Sequence, residues 1–267
     1  MPKTILVTGA GSGFGEGASI GLAHAGHEVI ATAQIAPQVS ALRDKACALG
    51  LDNLRAEKLD LLDAYDVRRA LAWDIDVLFN NAGIGEGGPV SEVPVDLVRR
   101  SFETNVFAPL ALTQGFVRSW VDAGRGGKIV FTSSVSGLFT PPGYAPYAAT
   151  AHALEAIAEA MRQELRPFGI KVQTINPGAY LTGFNETTAD TAFRWLDDGR
   201  NFTSRASMRE TYNSLLATPQ GRLDPCEVVD AMVEIVPTDE GRFRNVVPQS
   251  CEDMLRRHQT EAWDACI

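Results

Sequence analysis

Short runs rich in Val, Ile and Leu, bounded by Gly, Asn, Asp and Pro, recur along the chain and alternate with stretches of helical periodicity. The runs Thr4–Thr8, Glu28–Ala33, Leu54–Leu59, Val77–Asn80, Lys128–Thr132, Lys171–Ile175 and Asn245–Pro248 predict strands. Between them, Gly13–Ala25, Gln38–Leu49, Ala64–Leu71, Leu97–Ala123 and Tyr147–Arg166 predict helices. Strand–helix alternation of this kind predicts an α/β fold: a doubly wound parallel β-sheet reached through right-handed crossovers and flanked by helices as a three-layer sandwich. No repeat, low-complexity tract or linker interrupts the rhythm, so residues 1–267 read as one domain. One segment departs from it. Gly183–Gln220 is polar, mixes Thr, Asn, Asp and Arg with Phe184, Phe193, Trp195 and Phe202, and reads as a lid over a site.

Composition narrows the classes. At 267 residues and 45% hydrophobic content the chain can bury a full core. It has no apolar run long enough for a membrane span, and Met1-Pro2-Lys3 runs directly into a strand, which leaves no room for a signal peptide. Cys47, Cys226, Cys251 and Cys266 are scattered and suit a reducing cytosol, so a cytoplasmic location is expected. The four histidines do not cluster with them, and no metal is expected. A net charge of −9 opposes nucleic-acid binding, which needs a basic face.

The first chemical motif is Thr8-Gly9-Ala10-Gly11-Ser12-Gly13-Phe14-Gly15, placed directly after a strand and opening a helix. Glycines permit the tight turn and the approach of backbone to a pyrophosphate, and the helix N-terminus supplies free N–H groups and positive dipole. Gly9, Gly13 and Gly15 form T-G-x-x-x-G-x-G. Further along come Asp60 after the third strand, Asn80-Asn81-Ala82-Gly83 after the fourth, and Asn105 within a helix. Ser134 stands thirteen residues before Tyr147, and Asn176-Pro177-Gly178-Ala179-Tyr180-Leu181-Thr182 follows the sixth strand. With these residues in this order, the chain resembles the short-chain dehydrogenase/reductase family over nearly its whole length. The resemblance implies a Rossmann-type fold and an NAD(P)-dependent oxidoreductase that moves hydride between a nicotinamide cofactor and a secondary alcohol or ketone. It implies that Gly9, Ser12, Gly13, Phe14, Gly15, Gln34, Asp60, Asn81, Ala82, Gly83, Tyr147, Pro177, Gly178 and Thr182 bind the cofactor. It also implies a homo-oligomer, dimer or tetramer, built on the two long helices.

The chemistry can be stated without the family. Reducing a carbonyl requires a proton donor at its oxygen and a second group to hold that oxygen. Tyr147 supplies the first and Ser134 the second, with Asn105 supporting a water relay in the family pattern. A tyrosine with its usual pKa of about 10 is a poor base at neutral pH. In the family a lysine one helical turn on, at i+4, lowers that pKa and binds the nicotinamide ribose. Here the lysine position is Ala151, which offers neither charge nor donor, and His152 is rotated about 100° from that face. Three explanations stand open: an engineered replacement that disables the enzyme, a natural loss that leaves a catalytically silent dinucleotide-binding protein acting by association, or an enzyme working with weak assistance in the reducing direction.

Cofactor choice follows from the end of the second strand. An acid there would accept the ribose hydroxyls of NAD and a base would pair with the 2′-phosphate of NADP. Ala33 and Gln34 occupy these places and Ser12 the alternative basic site, so nothing repels or attracts a phosphate; the lean is to NADP. The substrate is expected between Gly85–Pro89, Val135–Tyr144 and the lid, against Phe139, Tyr144, Tyr180 and Phe184, with Trp195 and Phe202 as closures. That lining suggests an apolar or aromatic-bearing alcohol or ketone, with polar sugars as the other possibility.

Overall fold

The computed structural model describes residues 1–180, 182–216 and 223–266. Seven strands form one parallel sheet in the order β3-β2-β1-β4-β5-β6-β7: β1 Thr4–Val7, β2 Glu28–Ala33, β3 Leu54–Lys58, β4 Val77–Asn80, β5 Gly127–Thr132, β6 Ile170–Pro177 and β7 Arg244–Val247. All seven predicted strands are present within a few residues.

Alternating side chains of each strand feed two cores. Ile5 and Val7 of β1, with Phe79 of β4 and Val130 of β5, pack under α1 (Gly13–His24), α2 (Ala36–Ala48) and α9 (Pro225–Ile235). Leu6, Leu78, Ile129 and Phe131 pack on the opposite face, under α3 (Ala64–Ala70), α5 (Ala108–Asp122) and α6 (Ala145–Glu164). Trp120 is fully buried there and donates from Nε1 to the Ile75 carbonyl at 2.9 Å. The order of strands reverses direction between β1 and β4, and the carboxyl ends of the strands on either side open a crevice at that switch point.

Several elements differ from expectation. The single helix predicted over Leu97–Ala123 begins earlier and is broken into α4 (Val95–Phe102), a π turn (Glu103–Phe107) and α5. Helix α9 was not expected, although Asp224-Pro225 is a start signal: the Asp224 carboxylate accepts from the Cys226 N–H at 2.9 Å. It lies directly on α1, because a Cβ on Gly17 or Gly21 would stand 2.7 or 2.5 Å from the side chains of Val229 and Val233. The buried Lys128 of β5 ties the end of α9 to the sheet by donating to the Ile235 and Thr238 carbonyls at 2.6 and 2.5 Å. Helix α10 (Cys251–Glu261) was also missed.

The polar segment read as a lid carries two helices, α7 (Phe184–Trp195) and α8 (Arg205–Leu216); its residues 217–220, like Leu181, lie outside the described residues. Helix α7 rests on the loop after β4. The Gly87 N–H donates to Thr191 Oγ1 at 2.8 Å, and a Cβ on Gly85 would collide with Thr188. No helix among the described residues is long and apolar enough to cross a membrane.

Candidate active site

A cleft of about 830 Å³ opens at the switch point, and all of the proposed cofactor-binding and catalytic positions line it. Its floor is the turn between β1 and α1. Gly9 has φ +68°, and a Cβ there would stand 2.6 Å from the Ala82 Cα; a Cβ on Gly15 would meet Asn81 Nδ2 and the Gly9 carbonyl, each at 2.4 Å. Side chains at these positions would push the Asn81-Ala82 turn away from the glycine turn. The two turns are also bonded: the Thr8 hydroxyl accepts from the Asn81 and Ala82 N–H groups, both at 3.0 Å, and Asn81 Oδ1 accepts from the Thr132 hydroxyl at 3.1 Å. The result is a backbone cradle at the N-terminus of α1 together with Ser12, Gly13, Phe14 and Gly83.

At one end of the cleft Gln34 donates to Asp60 Oδ2 at 3.2 Å, and Gln38 sits over Gly11, 2.8 Å from where a Cβ would be. Gln38 was not singled out from sequence, and it adds a second neutral amide beside Gln34. At the other end are Pro177, Gly178 and Thr182 after β6, and Phe184 of α7, whose ring meets Tyr147 edge-on at 5.3 Å.

Tyr147 stands in the first turn of α6. Burial pushes its phenol above the ordinary value, and a hydrogen bond with the Ser134 hydroxyl opposes that rise. Ser134 is the second residue beyond β5 and caps the short 3₁₀ turn Val135–Gly137, its Oγ accepting from the Ser136 N–H at 3.0 Å. Asn105 sits in the π turn, an irregularity often found at functional sites. Its amide pairs with both backbone groups of Ile84 at 2.8 Å and donates to the Thr150 hydroxyl at 3.1 Å, which in turn donates to the Tyr147 carbonyl at 2.7 Å. Ala151 is 2% exposed and lines the cleft on the same helical face as Tyr147. Position 151 brings no charge to that face.

The substrate lining differs from the expected one. Tyr180 and Phe184 face the cleft, but Phe139 packs against α10, its ring 5.5 Å from that of His258. Tyr144 is buried against Tyr212 at 5.4 Å, Trp195 packs on Gly88, and Phe202 is 81% exposed. In their place Thr104, Thr187 and Thr191 line the wall, with Arg100 and Arg194 as the cationic side chains among the described residues. Phe184, Thr187, Thr191 and Arg194 recur at helical spacing, a stripe that a helical reading of the lid would have exposed.

Comparison with known proteins agrees with this geometry. A family model described as short chain dehydrogenase matches residues 3–192. An uncharacterized oxidoreductase, YusZ, of Bacillus subtilis (strain 168) is 34% identical over 247 residues, covering 87% of this chain and 84% of the relative. A 3-ketodihydrosphingosine reductase of Bacteroides thetaiotaomicron is 30% identical over 218 residues, covering 79% of this chain and 72% of that one. Among solved structures, a short-chain dehydrogenase from Streptomyces avermitilis superimposes with a TM-score of 0.80 at 29% identity, over 99% of this chain and 94% of that one. Fold, cleft and relatives agree, and the chain belongs to the short chain dehydrogenase family of oxidoreductases.

Proposed function

We propose that the chain binds a nicotinamide dinucleotide in the cleft and acts on a secondary alcohol or ketone, at a rate weakened by Ala151. The observation that carries this reading is that Tyr147 and Ser134 both line the cleft that begins at the glycine turn. The cradle fits the group: Gly9, Gly13 and Gly15 put no side chain in the way of a pyrophosphate at the N-terminus of α1, while Gln34, Gln38 and Asp60 offer hydrogen bonds to the adenosine half. When bound, the nicotinamide supplies or accepts the hydride.

The rest of the work falls to the chain's own residues. Ser134 Oγ holds the carbonyl oxygen of a ketone, and the Tyr147 hydroxyl gives that oxygen its proton. With a raised pKa Tyr147 stays protonated at neutral pH, which suits it to donate and makes it a weak base for alcohol oxidation. Asn105 is tied to Ile84 and Thr150 and holds the first turn of α6 in place behind Tyr147. Helix α7 would act as the lid. The reducing direction is therefore favoured, in keeping with the Bacteroides relative, which is named a reductase of a 3-keto compound.

We carry NADP as the preferred form. No carboxylate stands at positions 33 or 34, and two amides can hydrogen-bond a 2′-phosphate. A second reading, a silent dinucleotide-binding protein, is favoured by one observation, the buried alanine at 151. Titration of NADH and NADPH, followed by nicotinamide fluorescence, tests both: saturable binding is expected, tighter for NADPH. No binding of either would mean that the glycine turn is structural only. Binding without turnover across a ketone panel would favour the silent protein.

A further inference from the structure

A buried polar chain runs from β7 through α6 and β6 to the backbone of Ser134. Arg244 of β7 holds Glu155 Oε2 with both Nε and Nη2 at 2.9 Å. The other oxygen, Oε1, accepts from Asn176 Nδ2 at 2.6 Å, and the same Nδ2 donates to the Ser134 carbonyl at 3.1 Å. Asn176 is fully buried in β6, with its Oδ1 accepting from the Thr174 hydroxyl at 3.0 Å. Glu155 is 5% exposed.

We propose that Glu155, clamped by Arg244, is a positioning residue that sets Ser134 through the orientation of the Asn176 amide. A buried asparagine amide has two orientations related by a half turn, and hydrogen-bond partners decide between them. Thr174 does not decide, because a hydroxyl donates to the amide oxygen or accepts from the amide nitrogen equally well. Glu155 and the Ser134 carbonyl decide together: both only accept, so both require Nδ2, and the Glu155 carboxylate, held by Arg244, takes one N–H while the Ser134 carbonyl takes the other. Ser134 needs the anchor. The sheet pairing of β5 ends with the Ser133 N–H on the Ile175 carbonyl at 2.8 Å, and the chain then leaves the sheet. Glu155 also touches the far side of that turn, since a Cβ on Gly137 would stand 3.1 Å from its Cγ. Being eight residues after Tyr147 and four after Ala151, it shares their face of α6, so one helix fixes both members of the Tyr147–Ser134 pair.

A buried carboxylate held by a half-exposed arginine is weak evidence of stabilisation, because desolvation offsets the attraction. Positioning accounts for its place better, and a purely structural role is distinguishable from it. This inference rests on the reading of Tyr147 and Ser134 given above, so the test is chosen not to require turnover. The protein is labelled with ¹³Cζ-tyrosine, and Tyr147 is identified among the five tyrosine signals by its loss in Tyr147→Phe. Three variants are compared: Ser134→Ala, Glu155→Gln, and the double variant Glu155→Leu with Arg244→Leu, which leaves neither charge buried alone.

The Tyr147 signal in the double variant is expected to move in the direction seen for Ser134→Ala, while dinucleotide affinity stays unchanged. In an Ala151→Lys background, kcat is expected to fall about tenfold or more with the KM for cofactor unchanged, the pattern of a lost transition-state contact. A folded double variant with an unmoved Tyr147 signal would overturn the proposal. So would a double variant that does not fold beside a folded Glu155→Gln with an unmoved signal. If the signal moves but no variant ever turns over, the activity reading fails and the positioning role stands.

Discussion

Introducing a cation at position 151 probes the site most directly. Ala151 lines the cleft, is 2% exposed, and lies one helical turn beyond Tyr147, so the side chain of Ala151→Lys would extend along the cleft wall toward the phenol. Residues at i and i+4 have Cβ atoms about 5–6 Å apart, and an ammonium can reach about 5 Å from the phenolate oxygen. With an effective dielectric of about 20, that pair is worth about 3 kcal/mol, or a little over 2 pH units at about 1.4 kcal/mol per unit. Desolvating the new ammonium returns part of this, leaving a fall in the Tyr147 pKa of about 1–2 units. In this chain the phenol is held above its ordinary value, so nearly all of it is protonated at neutral pH. Each unit of fall multiplies the phenolate fraction about tenfold, and alcohol oxidation should rise about 10- to 100-fold at pH 8. Ketone reduction should change less, because the donor is already protonated. The assay is dinucleotide reduction followed at 340 nm over a panel of secondary alcohols, for both chains, across pH. If Ala151→Lys binds cofactor saturably and oxidises none of the alcohols faster than the parent, the phenolate reasoning is wrong.

Three further outcomes are expected. In the Ala151→Lys background, Tyr147→Phe should abolish turnover while leaving dinucleotide affinity within about twofold, since only the hydroxyl is lost; fluorescence titration beside a turnover assay checks it. Gly15→Ala should weaken dinucleotide binding and cost about 1–3 kcal/mol of stability, because its Cβ has no room beside Asn81 and the Gly9 carbonyl; an unchanged affinity would show that the two turns are not rigidly held. Burial lowers the Lys128 ammonium to about 7, against 10.5 for a free side chain, so between those values the unfolded chain binds more protons and stability rises with pH. Relative to Lys128→Met, the parent should therefore gain about 3 kcal/mol between pH 7 and about 9.5, and urea melts giving the same difference at both would contradict the account.

Local signals account for what was legible in the sequence. The inner strands were readable because a parallel sheet covered on both faces favours short, mostly apolar runs, and the seven predicted runs correspond to the seven strands. The cleft residues were readable because they sit at strand ends, where backbone constraint, as in the glycine turn at Gly9, leaves a mark within a few positions. The absence of a cation at 151 could be read directly, since helical spacing alone places that residue on the face of Tyr147.

Tertiary structure decided the rest. Helix α7 is too polar to announce itself, and it lies where it does because Gly85 and Gly87 let Thr188 and Thr191 rest on backbone a hundred residues earlier in the chain. An aromatic in a loop carries no label for pocket or core. Phe139 went to α10 and Tyr144 to Tyr212, while Arg100 and Arg194 took the cleft wall. The Arg244–Glu155–Asn176 chain joins residues from three elements, with Arg244 and Glu155 89 positions apart. Sequence fixes which groups a chain carries and which face of a local element they share; only packing brings distant groups within hydrogen-bond distance of one another, and the orientation of Ser134 depends on that.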